Sequence, residues 1–117
     1  MTREEFVSRL SEVCRDSAVA GVMELLTRVP GRKPQQSTLE LSDWFKSLSP
    51  TDKAMVERIA ALSAHQCLFG VLCVLDGVRT IRDRAGVSFR LTAMEGNLSN
   101  VLLPASECLH DLLAPPF

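Results

Sequence analysis

The sequence predicts a helix-dominated α+β fold, in which two long helices pack with a small antiparallel β-meander and a short C-terminal helix. Apolar residues recur every three or four positions over residues 3–28 and again over residues 50–66, which is typical of helices. Over residues 87–94 they alternate with polar residues, as in a half-buried strand. A chain of 117 residues with 46% hydrophobic content can close one core, so we expect a single domain over residues 1–117.

The first long helix is predicted to begin at a capping box, in which Thr2 caps the helix and Glu5 reaches back to the cap amide. Its polar positions include Arg15, and the proline-rich segment 30–37 ends it as an exposed loop. A short helix follows over residues 39–48, with Ser42 as its expected cap. The apolar face predicted for the first helix is Phe6, Leu10, Val13, Cys14, Ala18, Val22, Leu25, Leu26 and Val29.

The second long helix has the clearest start signal, because Ser49 can serve as its N-cap and Pro50 as its first residue. Residues 67–75 are apolar on every side of the helix, which predicts a place at the centre of the domain. This run is shorter than the roughly 20 residues of a membrane span, so we expect no membrane insertion. Gly77 offers a stop.

Three strands are predicted after this helix, over residues 78–82, 87–94 and 98–103. Glycine-containing turns at residues 83–86 and 95–97 would connect them as a meander. Pro104 then opens the predicted terminal helix over residues 105–113.

Composition disfavours several classes of partner. The formal net charge is −1, which provides no electrostatic attraction to nucleic acid or anionic lipid. The polar start of the chain lacks the apolar run of a secretory signal, so we expect a cytoplasmic protein whose four cysteines are free thiols.

The sequence predicts no catalytic residues, cofactor or metal. His65 and Cys67, like Cys108 and His110, lie two positions apart, and on a helix such residues point in different directions and cannot share an ion. Cys73 lies in the apolar run, where burial makes a thiol inert.

Four residues are candidates for binding a partner. Trp44 and Phe45 are adjacent, so both rings cannot point inward, and the exposed ring could anchor a partner although a core role is favoured for the pair. After the core helix, three arginines follow Asp76 within a charged turn, and arginine is enriched at interfaces. An ordinary ion pair between Asp76 and Arg79 is also expected. The candidates are Trp44, Asp76, Arg79 and Arg82.

From Trp44 onward the chain resembles a family of small bacterial proteins without an assigned function. The resemblance rests on Trp44-Phe45, Leu48-Ser49 with Asp52, the run from Phe69 to Arg79, and Leu109-His110-Asp111-Leu112. Where the family has an asparagine-aspartate pair before the last helix, this chain has Leu103-Pro104. Proteins of this type look like the immunity or accessory partners of secreted bacterial toxins.

Three functions follow in order of preference. The first is a non-enzymatic protein-binding protein, in its most concrete form an immunity protein that occludes a toxin. The second is a homodimeric structural or regulatory module. The third is a small enzyme or ligand binder with a pocket beside the core helix, near His65, His110 or Asp111.

Overall fold

The computed structural model describes residues 1–80 and 86–117, and the fold is helix-dominated α+β, as predicted. Its elements are α1 (Arg3–Leu10), a π-helical turn (Ser11–Asp16), α2 (Ser17–Thr27), α3 (Gln36–Lys46), α4 (Pro50–Leu75), β1 (Leu91–Glu95), β2 (Leu98–Leu103) and a 3₁₀ turn (Leu109–Leu112). Helix α4 packs against the π-helical turn and α2, α3 packs against α2, and the 3₁₀ turn contacts α1 and α4.

The first long helix starts at the predicted capping box. Thr2 Oγ1 accepts from the amide of Glu5 at 3.1 Å, and a carboxylate oxygen of Glu5 accepts from the amide of Thr2 at 3.0 Å. The helix continues to Thr27 only through the π-helical turn, whose wider winding rotates the following residues about the axis. The predicted apolar face is wrong in part: Val13, Cys14, Ala18 and Val22 are exposed, while Val7 and Arg15 are buried and Arg15 is only 7% exposed.

Helix α3 begins at Gln36, earlier than predicted. Ser42 is not its cap, because it lies inside the helix and is buried against α2. Its hydroxyl donates to the carbonyl oxygen of Leu26 at 2.7 Å. The serine thus supplies a hydrogen bond to one of the last carbonyls of α2, which have no partner within that helix.

Helix α4 begins as predicted, with the Ser49 hydroxyl accepting from the amide of Asp52 at 3.1 Å and Pro50 in the first turn. It ends at Leu75, and the chain turns away at Gly77, where φ is +79°. Only glycine adopts this backbone conformation at little cost, so Gly77 terminates the helix.

The sheet is a two-stranded hairpin among the described residues rather than a three-stranded meander. Strands β1 and β2 pair antiparallel, with Glu95 opposite Leu98 across a turn in which Gly96 has φ of +58°. The predicted strand 98–103 forms, whereas residues 87–90 precede β1 without strand structure and residues 78–80 form no strand either. The rest of the first predicted strand and most of its turn lie outside the described residues.

The C-terminal segment forms only a 3₁₀ turn instead of the predicted helix over residues 105–113. It is held in place by Leu109, which is fully buried. The core joins it to both long helices and to the hairpin through buried Val7, Leu68, Leu72, Leu103 and Leu109.

Candidate functional site

Helix α4 leaves several large apolar side chains exposed, which is unusual for a helix that also forms part of the core. No Asp, Glu, Lys or Arg occurs from Ile59 to Leu75. The inward side chains of Leu68 and Leu72 are buried against the rest of the fold, as predicted for a core helix. The prediction that residues 67–75 are surrounded on every side is wrong, because Cys67 and Val71 are exposed in the described part of the chain. The exposed apolar residues of the first half of α4, called here the α4 face, are Met55 (50%), Ile59 (64%) and Leu62 (47%), whereas Val71 (51%) is exposed on another side of the helix.

The three residues of the α4 face form one continuous stripe because of their spacing in the sequence. Met55, Ile59 and Leu62 are separated by four and three positions, so they form one stripe along the helix. From the sequence alone, this spacing predicted that the stripe is buried. The prediction was wrong because a periodic pattern identifies an apolar face but does not show which side of the helix the fold covers.

Helix α4 is also long and apolar enough to cross a membrane by length and composition alone. Its most apolar 18-residue window has a mean hydropathy of 1.6 and is 22% buried within the fold. The core helix of a soluble protein passes the same test but is mostly buried.

Trp44 and Phe45 differ in exposure, as predicted from their adjacent positions. The Trp44 side chain is 53% exposed, whereas Phe45 is 5% exposed and packs in the core. The ammonium group of Lys53 lies 5.6 Å from the centre of the Phe45 ring. The end of α3 and the start of α4 are therefore close together.

Asp76 and Arg79, two of the other predicted partner-binding residues, lie at the opposite end of α4. From Lys53 to Asp76 the helix rises by roughly 35 Å, so Trp44 and Arg79 could share one partner only if that partner extends along α4. Arg79 is exposed, and a terminal nitrogen of its side chain lies 2.8 Å from the position that a Cβ on Gly70 would occupy. Arg82 lies outside the described residues.

Asp76 is paired with His110 instead of Arg79. One carboxylate oxygen accepts from the amide of Leu109 at 2.8 Å, and the other accepts from the amide of His110 at 2.9 Å and contacts Nδ1 of its ring at 2.7 Å. The Asp76 side chain is 1% exposed. Any contribution of this carboxylate to a partner surface is therefore indirect, through the segment that it holds.

The charge of Asp76 is stabilised despite this burial. Burial by itself raises the pKa of the carboxyl group, but the amides of Leu109 and His110 and the His110 side chain more than offset it. The pKa of Asp76 is consequently below its usual value, and the group is a carboxylate at neutral pH.

Cys108 completes a cluster that the sequence did not predict. A carboxylate oxygen of Asp76, the sulfur of Cys108 and a ring nitrogen of His110 all lie within 4.8 Å of one another. The helical-spacing argument against pairing Cys108 with His110 fails, because Cys108 precedes the 3₁₀ turn in extended backbone. Burial raises the pKa of the Cys108 thiol, and the charges of Asp76 and Asp111 raise it further.

A second polar network lies at the π-helical turn. The guanidinium group of Arg15 donates to the carbonyl oxygen of Ala114 at 2.7 Å and lies 3.2 Å from Nδ1 of His65. Burial and the neighbouring Arg15 lower the pKa of His65. Phe69 lies between His65 and His110, with ring centres 6.3 and 5.3 Å from theirs. These histidines are thus engaged in packing and hydrogen bonding.

A groove of about 430 Å³ lies between α2, α4 and the end of the chain. Its lining includes Val19, Ala20, Ala61 and Phe117, and the guanidinium group of Arg58 lies 4.9 Å from the centre of the Phe117 ring. The groove does not include His65, His110 or Asp111, which the sequence suggested as pocket residues.

Comparisons with known proteins assign neither a family nor a function. No protein-family model, characterised protein or solved structure matches the chain. The α4 face is therefore the feature that suggests a function, and the cluster of Asp76, Cys108 and His110 is a separate candidate site.

Proposed function

We propose that this is a non-enzymatic, cytoplasmic protein-binding protein that docks a partner on the α4 face. The observation that carries the proposal is the exposure of Ile59 and Leu62 on a helix that also supplies Leu68 and Leu72 to the core. Large exposed apolar patches on soluble domains mark sites of protein association.

The amount of exposed surface supports the same function. The chain has an accessible surface of 8428 Å², whereas a compact monomer of this mass exposes about 6,300 Å². Its radius of gyration is 18.1 Å, against about 13 Å for a compact domain of this length. The surplus of roughly 2,000 Å², which belongs to the whole chain and not to the α4 face alone, exceeds the about 800 Å² that each partner buries in a standard interface.

The most concrete form of this function is a toxin-neutralising immunity protein. The motifs between residues 44 and 112 that resemble small bacterial proteins suggest this form, although no family model matches the chain. Such a protein acts by occlusion, which needs a binding face and no catalytic residues. Trp44 and Arg79 are exposed near opposite ends of α4, and tryptophan and arginine are among the residue types that dominate binding energy at interfaces.

Capture with a matched pair of variants tests the proposal. Ile59→Glu places a charge on the α4 face, and Met94→Glu places the same charge on an exposed apolar position of the hairpin. We expect wild type and Met94→Glu to retain one specific partner from the native lysate, and Ile59→Glu to lose it. For the immunity form, co-expression of wild type with that partner must restore growth. Equal capture by both variants, or no partner and no self-association, contradicts the proposal.

A homodimeric module is the second candidate, and the regular spacing of Met55, Ile59 and Leu62 favours it, because such a stripe can pair with its own copy across a twofold axis. Light scattering after gel filtration separates the two candidates. A dimer that Ile59→Glu dissociates supports self-association, whereas a monomer supports a different partner. Flotation of the wild-type protein with lipid vesicles would contradict both and indicate that α4 enters a membrane.

A further inference from the structure

The end of α4 and the C-terminal segment bring three good metal ligands together. Asp76 offers a carboxylate oxygen, Cys108 a sulfur and His110 a ring nitrogen, all within 4.8 Å of one another. Fully buried Leu109 fixes the backbone between Cys108 and His110. The two ligands from the C-terminal segment are therefore held at a defined position against the end of α4.

The hydrogen bonds of Asp76 leave its carboxylate oriented for a cation. The amides of Leu109 and His110 hold one oxygen each, and the remaining contact is the 2.7 Å approach of the His110 ring to the oxygen that accepts from the His110 amide. Carboxylates that bind metals are commonly held by such outer hydrogen bonds. A cation that replaces the proton between Asp76 and His110 would leave both amide bonds in place.

We propose that Asp76, Cys108 and His110 bind one divalent transition metal of the zinc class as three of its ligands. Ligand atoms around tetrahedral zinc are about 3 to 4 Å apart. The contact between Asp76 and His110, 2.7 Å in the structure, must open by roughly 0.6 Å to reach this range, and the sulfur of Cys108, within 4.8 Å of both, must reach a similar distance.

Charge and donor type define the metal class. Asp76 and the thiolate form of Cys108 together neutralise a divalent cation, and the carboxylate of Asp111 lies 3.5 Å from the other ring nitrogen of His110. Sulfur and imidazole ligands favour zinc and cobalt over magnesium and calcium. Binding releases the thiol proton, so affinity rises with pH. This site is separate from the α4 face and does not depend on the proposed function.

Cobalt titration under reducing conditions tests the site, because Co²⁺ reports thiolate ligation by a charge-transfer absorption band. We expect one Co²⁺ per chain, displacement by Zn²⁺ and no competition from Mg²⁺. The Cys108→Ser variant should lose the band and bind at least about 100-fold more weakly, since outer ligands alone contribute up to that factor. The control Cys14→Ser, which changes an exposed thiol of the π-helical turn, should bind as wild type.

Thermal unfolding provides a second readout that does not rely on absorption. Zn²⁺ should raise the Tm of wild type and Cys14→Ser but not that of Cys108→Ser, because only the folded site binds the ion. Circular dichroism confirms that Cys108→Ser is folded before either measurement. Absence of the charge-transfer band in wild type, or an equal response of wild type and Cys108→Ser, overturns the proposal.

Discussion

Asp76→Asn is the substitution whose effect follows most directly from the structure. The Asp76 carboxylate accepts from the amides of Leu109 and His110 and contacts the His110 ring, at distances of 2.7 to 2.9 Å. These contacts join the end of α4 to the C-terminal segment within a nearly inaccessible site. An asparagine has the same shape but only one acceptor oxygen, and its amide group faces a donor of the protein.

The expected loss of stability is about 3 to 5 kcal/mol. Hydrogen bonds to a charged group contribute about 1.5 to 3 kcal/mol each, and the substitution removes the charge and at least one acceptor. For a domain of this size, 1 kcal/mol corresponds to roughly 3 to 6 °C in Tm. The Tm of Asp76→Asn should therefore fall by at least about 10 °C.

Acid should reproduce this loss in the wild type. Since the pKa of Asp76 is lowered in the folded state, its stabilisation is fully present at neutral pH and disappears as pH falls through the folded pKa. Below about pH 4, the stability of Asp76→Asn should depend less on pH than that of wild type.

Urea unfolding at pH 7 in the presence of a chelator measures the effect, and Asp111→Asn serves as the control. Asp111 is a neighbouring carboxylate with a side chain that is 63% exposed, so its substitution should cost less than about 0.5 kcal/mol. An Asp76→Asn protein within 1 kcal/mol of wild type would refute the assigned role of this carboxylate.

Three further predictions concern other contacts. Ser42→Ala should lower the free energy of unfolding by about 1 to 2 kcal/mol, because it leaves the buried carbonyl of Leu26 without its donor; an unchanged urea midpoint would contradict this. Gly77→Ala should cost about 1 kcal/mol because of its positive φ, whereas Gly70→Ala should be neutral or stabilise α4 by up to about 1 kcal/mol, and equal effects in thermal unfolding would refute this contrast. The lowered pKa of His65 means that the unfolded state takes up a proton first as pH falls below neutral, so His65→Gln should reduce the loss of stability between about pH 7 and 5; parallel stability profiles would exclude this role.

Local signals in the sequence predicted most helix boundaries but not the sides on which the helices are covered. The capping box at Thr2, the Ser49-Pro50 start and the Gly77 stop depend on neighbouring residues alone, and all three are confirmed. The burial of Arg15 depends on long-range contacts with His65 and Ala114, which the pattern of the first helix does not encode.

The cluster of Asp76, Cys108 and His110 was not predicted from the sequence, because it depends on a contact between distant parts of the chain. Asp76 and Cys108 meet only because the C-terminal segment returns to the end of α4, and no local pattern encodes that contact. Predictions of metal sites from the spacing of two ligands assume that both ligands lie in the same kind of secondary structure. Cys108 and His110 lie across the boundary between extended backbone and a 3₁₀ turn, where two positions in sequence no longer imply opposite directions.

The two sides of α4 make stability and binding separable in this protein. Truncating buried Leu72 should cost several kcal/mol, because it leaves a cavity in the core, and any loss of binding would follow from unfolding. Ile59→Glu removes apolar surface that the fold does not cover, so the isolated chain should retain its stability while partner binding weakens. A partner that is lost only in proportion to unfolding would place its contact elsewhere. Binding that is lost from a fully folded Ile59→Glu chain would show that the exposed side of α4 is kept apolar for association rather than for folding.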